Sequence, residues 1–250
     1  LSSHRKHAMN EAYNPYQSWG VVAADAEISD RAKFIRLTYL HLAGAVLAFI
    51  GLEAFLLSLP QVPDAVALVM GNRAGWFIVL GAFIGVSYVA NSWASSSTSV
   101  GMQYAGLGLF VVAEAVIFVP LLYFAQLFAE GSGVNVIGIA AVLTIMTFIG
   151  LTAVVFLSGA DFSFLRGALA LGAIVALGVI VCSMIFSFNL GVIFVGAMLL
   201  LAGGYILYDT SNVLHHYRIG QHVAASLALF ASVALMFWYM VQLVMSVSRR

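Results

Sequence analysis

The sequence predicts an all-α integral membrane protein, a bundle of seven transmembrane helices. Two observations carry that prediction. Of 250 residues, 63% are hydrophobic and only 8% are charged, whereas a soluble domain is charged at about a quarter of its positions. The chain also holds seven long apolar runs of 17–25 residues, and a hydrocarbon core ~30 Å thick takes about 20 helical residues to cross. A transmembrane barrel would instead show strands of about ten residues with alternating polarity. Ten Lys and Arg balance ten Asp and Glu, so no basic excess is available to meet phosphates. Nucleic-acid binding is excluded, together with a soluble enzyme and a disordered chain.

Residues 1–36 form a polar tail that carries nine of the twenty charges. It is too polar for a signal peptide, so the first apolar run is expected to remain in the membrane. Tyr13, Pro15, Tyr16 and Trp19 give the tail a surface that can fold onto a partner. Residues 37–250 form the transmembrane domain, with spans at Leu37–Leu59, Ala74–Ala90, Tyr104–Leu127, Val134–Leu157, Gly167–Phe188, Leu190–Tyr208 and Val223–Val247. The connections read as short: a Pro-rich turn from Leu59 to Asp64, a polar linker from Asn91 to Ser99 and a glycine turn at Glu130–Gly133. A tight hairpin falls at Ser187-Phe188-Asn189. Gly81 and Gly85 form a Gly-x-x-x-Gly in the second span. They are expected to pack against a neighbouring helix of the bundle, homodimerisation being the alternative. Cys182 is the only cysteine, so no internal disulfide forms.

Lys and Arg counts set the orientation. With the N-terminus in the cytosol, seven basic residues lie inside and three outside, which places the N-terminus in the cytosol and the C-terminus outside. The expected location is a bacterial inner membrane, or a mitochondrial or endoplasmic-reticulum membrane in a eukaryote.

Ionisable groups inside a bilayer cost ~2.5–3.5 kcal/mol each on insertion scales. Glu53, Glu114 and Asp209 fall within spans or at their ends, and no Lys or Arg lies deep in a span to pair with them. They are either part of a cation or proton pathway facing a polar cavity, or protonated groups hydrogen-bonded between helices. His215, His216 and His222 read as a solvated loop, because adjacent histidines do not share a helix face and no metal-ligand spacing is completed. His41 reads as an interhelical hydrogen-bonder, and Phe237-Trp238-Tyr239 as helix packing.

Known seven-helix and intramembrane chemistries can be tested on residues. A retinal protein needs a lysine in its last helix, but Lys6 and Lys33 both precede the first span. Ser158-Gly159 lacks the upstream glycine of an intramembrane serine protease, since position 156 is Phe. Tyr208-Asp209 lacks a second aspartate in the last span, as an aspartyl protease would require. No enzyme, metal or cofactor is expected.

The stretch Gly204-Tyr-Ile-Leu-Tyr-Asp-Thr-Ser-Asn-Val-Leu-His215 resembles the signature of the Bax inhibitor-1 family, its bacterial members in particular. Asp161-Phe-Ser-Phe-Leu165 resembles a second landmark of that family, and Thr38-Tyr39 and the Glu114 segment also fit. The resemblance runs from about residue 31 onward. It implies six helices around a central seventh, and a cation leak, chiefly of Ca²⁺, governed by pH. In bacterial members two aspartates, one each from the sixth and seventh helices, share a proton, and an arginine ending the second helix latches onto them. Asp209 matches the first aspartate. Phe230 or Ser232 stands at the second, depending on register, and Asn91 lies nearest the arginine position. The ion or proton site candidates are thus Asp209, Glu114, Glu53, Ser232 and Asn91. Other members regulate a membrane protease or suppress cell death. The alternative reading is therefore a non-transporting subunit bound to a membrane protease or respiratory assembly.

Overall fold

The computed structural model describes residues 20–71, 73–96 and 99–248. Tyr13, Pro15, Tyr16 and Trp19 lie outside the described residues. Among these, eight helices follow in order: α1 (Ile28–Leu57), α2 (Val62–Met70), α3 (Arg73–Ala94), α4 (Val100–Ser132), α5 (Val136–Ser158), α6 (Leu165–Phe186), α7 (Gly191–His215) and α8 (His222–Ser248). All but α2 are long and apolar enough to cross a membrane. The face on which α1 begins, here the N-face, also carries the α3–α4, α5–α6 and α7–α8 connections.

Helix α1 starts nine residues before Leu37. Its first turns hold Asp30, Arg31, Lys33 and Arg36, which suit a helix but interrupt an apolar run. Its buried residues Phe34, Thr38, Leu42, Ala45, Phe49 and Glu53 recur every three or four positions, the period of a single helix face. The expected Pro-rich turn is corrected by α2. Pro63 sits in the helix's first turn, where its missing N–H costs nothing, and Asp64 complements the positive end of the helix. Gly133 and Gly159 end α4 and α5 with φ of 72° and 61°, left-handed values that glycine adopts without strain. The tight break between α6 and α7 forms as expected, with Ser187 left-handed at φ 58°.

Helix α8 is the central helix. It packs against α1, α3, α4, α5 and α7, whereas α6 rests chiefly on α7. Aromatic rings fix the level of α4 against α8. Phe230 meets Phe110 at 6.1 Å and Phe49 at 6.0 Å. Phe118 stacks on Phe237 at 5.8 Å and meets Trp238 edge-on at 4.9 Å. The aromatic cluster of the last span thus serves helix packing.

The Gly81–Gly85 expectation is corrected. A Cβ added at either position would meet nothing within 4 Å, so these glycines face outward rather than a neighbouring helix. The close approach occurs at Gly106 of α4. A Cβ there would stand 2.5 Å from the Ala94 nitrogen and 2.6 Å from the Ala90 oxygen of α3.

At the N-face the segment before α1 lies as a strap across the α7–α8 connection. The Ala23 N–H donates to the Tyr217 carbonyl at 2.8 Å, and the Ile219 N–H to the Val21 carbonyl at 2.9 Å. The Ala23 side chain is completely buried beneath it.

Candidate functional site

Helix α7 runs six residues past Asp209 to His215, so Asp209 lies inside the helix and not at its end. The apolar run stops at the first polar residue, but the helix does not, because Asp209–Leu214 are all buried and packed. Asp209 is 8% exposed, and the Ser232 hydroxyl of α8 donates to its Oδ2. Of the two registers left open for the last helix, Ser232 is therefore the residue that meets Asp209. Phe230 turns instead to Phe49 and Phe110.

Asp209, Ser232 and Glu114 line one cavity of about 580 Å³. Helices α3, α4, α6, α7 and α8 all contribute to its wall. Along α8 it extends from Ala228 to Gln242, about 21 Å at 1.5 Å per residue, which is most of a bilayer core. Asp209 lies toward the N-face end. Trp76 and Gln242 lie toward the other. Glu114 falls midway between Phe110 and Phe118, and so level with about Ala234. That is roughly 3 Å along the axis from Ser232. Glu114 is 7% exposed, and no described residue hydrogen-bonds its carboxyl. The remaining wall is mostly aromatic and aliphatic, and no Lys, Arg or His among the described residues lines it.

Two predicted candidates stand elsewhere. Glu53 is buried on α1, and neither carboxyl oxygen finds a partner among the described residues. It is not part of the cavity wall. Asn91 is exposed near the end of α3 and donates to the Ser87 carbonyl at 2.9 Å. Ser87 itself lines the cavity with a buried hydroxyl that has no partner among the described residues. Ser87, Tyr205 and Gln242 are wall residues that the sequence did not single out. A lone Ser or Gln in a span carries no signal of which way it faces.

The two sequence landmarks meet at the N-face. The Asp161 carboxylate accepts from the Ser163 N–H at 2.9 Å, the Ser211 hydroxyl at 3.2 Å and the His216 ring at 3.1 Å. The Phe162 N–H donates to the Ser211 hydroxyl at 2.8 Å. These bonds tie the α5–α6 connection to the end of α7, next to Asp209. The Ser163 backbone N–H, helped by His216, lowers the Asp161 pKa to about 2. Tyr217, beneath the strap, has its phenol pKa raised by burial, and the neighbouring Asp209 and Tyr208 add to the effect. The expected solvated histidine loop is therefore corrected in part, since of the three only His216 is an exposed residue of the connection. His215 belongs to α7, His216 is paired, and His222 begins α8 with its ring 5.0 Å from that of His41. His41 also bonds the Tyr104 hydroxyl at 2.9 Å, joining α1 to α4.

The sequence model of a family described as "Inhibitor of apoptosis-promoting Bax1" matches residues 31–249. An uncharacterized protein of Pseudomonas aeruginosa is 27% identical over 234 residues, covering 91% of this chain and 94% of the relative. No solved structure matches the chain.

Proposed function

From the premise that the chain belongs to the Bax inhibitor-1 family, we propose that it is a non-enzymatic cation leak, passing Ca²⁺ or H⁺ along the α8 cavity. The carrying observation is that two buried acids, Asp209 and Glu114, line a single cavity that runs along most of the central helix. Asp209 is the central acid and Glu114 a second station. Acids at two levels attract a cation, and a path with no basic residue among the described ones does not repel it. A leak needs only weak binding at each station, so a sparse set of oxygens suffices.

Orientation follows the basic residues, with the N-face and its strap in the cytosol. Asp209 is then the acid nearer the cytosol. Gating differs from the di-aspartate latch that the family resemblance implies. Ser232 supplies a hydroxyl in place of the second carboxyl, and Asn91, nearest the latch-arginine position, is not among the residues that line the cavity. The strap and the Asp161–His216 tie stand at the same face as Asp209.

Purified protein in liposomes should pass Ca²⁺ or H⁺ above the rate of empty liposomes. No flux, with a stoichiometric partner retained in mild detergent, would favour the reading as a non-transporting subunit of a membrane complex.

A further inference from the structure

We infer that the α8 cavity binds an amphiphilic organic cation, with its charged centre at the level of Asp209 and Glu114 and its apolar body along the aromatic wall. The cavity's volume of about 580 Å³ falls within the ~300–1,000 Å³ of small-molecule sites, which pair apolar walls with a few converging polar groups. Its chemistry is two-part. Trp76, Phe83, Phe110, Phe118, Phe194 and Trp238 supply aromatic surface, and two acids stand among them with no basic side chain among the described residues of the wall. A resident metal ion fits this poorly, because Ca²⁺ takes six to eight oxygens converging on one point, whereas the wall's side-chain oxygens, on Ser87, Glu114, Tyr205, Asp209, Ser232 and Gln242, are spread along it, and no cluster of three acids or histidines stands among the described residues.

An organic cation matches both parts. Its charge answers the carboxylates, its carbon body replaces water on the apolar wall, and ring faces attract a cation within about 6 Å. Neutral apolar ligands would leave the acids unanswered, and anions would meet two carboxyl groups. Helices α3 and α7 both line the cavity and share no extended packing with one another, and the cavity is not fully enclosed, so a ligand dissolved in the bilayer can reach it. The inference needs no ion flux. Binding and leak can each stand or fall alone.

The test is equilibrium dialysis of radiolabelled tetraphenylphosphonium against the full chain in lipid nanodiscs, with protein-free nanodiscs as the baseline. Saturable binding of one cation per chain is expected. Asp209→Asn and Glu114→Gln should each weaken it about tenfold, the loss of one charge-assisted contact, and together they should bring it to the baseline. Asp64→Asn, which removes an exposed acid on α2, should change nothing. Ala231→Phe keeps both acids and fills the cavity, so it should abolish binding even if the double variant fails to fold. Neutral triphenylphosphine oxide should show no dependence on the two acids. Non-saturable uptake by the wild type, or binding unchanged in Ala231→Phe or in a folded double variant, would overturn the inference.

Discussion

A carboxylate facing a hydroxyl behaves differently from a carboxylate facing another carboxylate. Two close acids titrate as a coupled pair in two steps, whereas the Asp209–Ser232 pair offers one acid. Replacing Ser232 with Asp should therefore add a further step to the pH profile of any flux, beyond those of Asp209 and Glu114, and a profile unchanged in shape would show that the two positions do not communicate. Asp161 gives a second residue-scale expectation. Its folded pKa of about 2 lies below its ordinary 3.8, so its stabilising contribution is full above about 4 and is lost as pH falls through about 2. Between pH 5 and 8 it stays ionised. Thermal unfolding in detergent at about pH 8 should show Asp161→Asn to be destabilising, and an unchanged melting temperature would contradict the tie. At this scale the acids were legible because an ionisable residue in an apolar span stands out. Ser87 and Gln242 were not, since their types are unremarkable and only the packing shows that they face the cavity.

Helix contacts follow backbone approach more than motif. Gly-x-x-x-Gly at Gly81 and Gly85 points away from the bundle, while the lone Gly106 sits where α3 and α4 backbones nearly touch. Gly106→Ala must push α3 away and should cost about 1–3 kcal/mol, as overpacking does. Gly81→Ala meets open space and should be neutral or gain up to about 1 kcal/mol in helix propensity. Melting temperatures of the two variants in one detergent give the comparison, and an equal loss would contradict the placement. Each of the seven spans was legible because bilayer thickness demands a run of fixed length. The ends were not. Polar residues in the first turns of α1 and the last turns of α7 are helical but escape an apolar-run reading, and α2 was hidden by its prolines, which suit a helix's first turn as well as a loop.

For the molecule as a whole, the central position of α8 gives the cavity its shape. The helix is wrapped by neighbours, and the acids reach the cavity from α4 and α7 rather than from α8 itself, whose contribution at their level is Ser232. Apolar periodicity could not reveal this arrangement, because lipid and protein surroundings both favour apolar residues. The family resemblance supplied the central helix, and the aromatic register of Phe110, Phe118, Phe230 and Phe237 shows how it is held. The shared cavity was not legible at all, since Glu114 and Asp209 are 95 positions apart and only tertiary packing brings both to its wall. The central claim is that these two acids serve one cation path. Ca²⁺ and H⁺ influx into liposomes, compared between wild type and the folded Asp209→Asn, Glu114→Gln double variant at equal protein content, tests it most directly. A fall of about tenfold or more is expected, and flux equal to that of the wild type would contradict it.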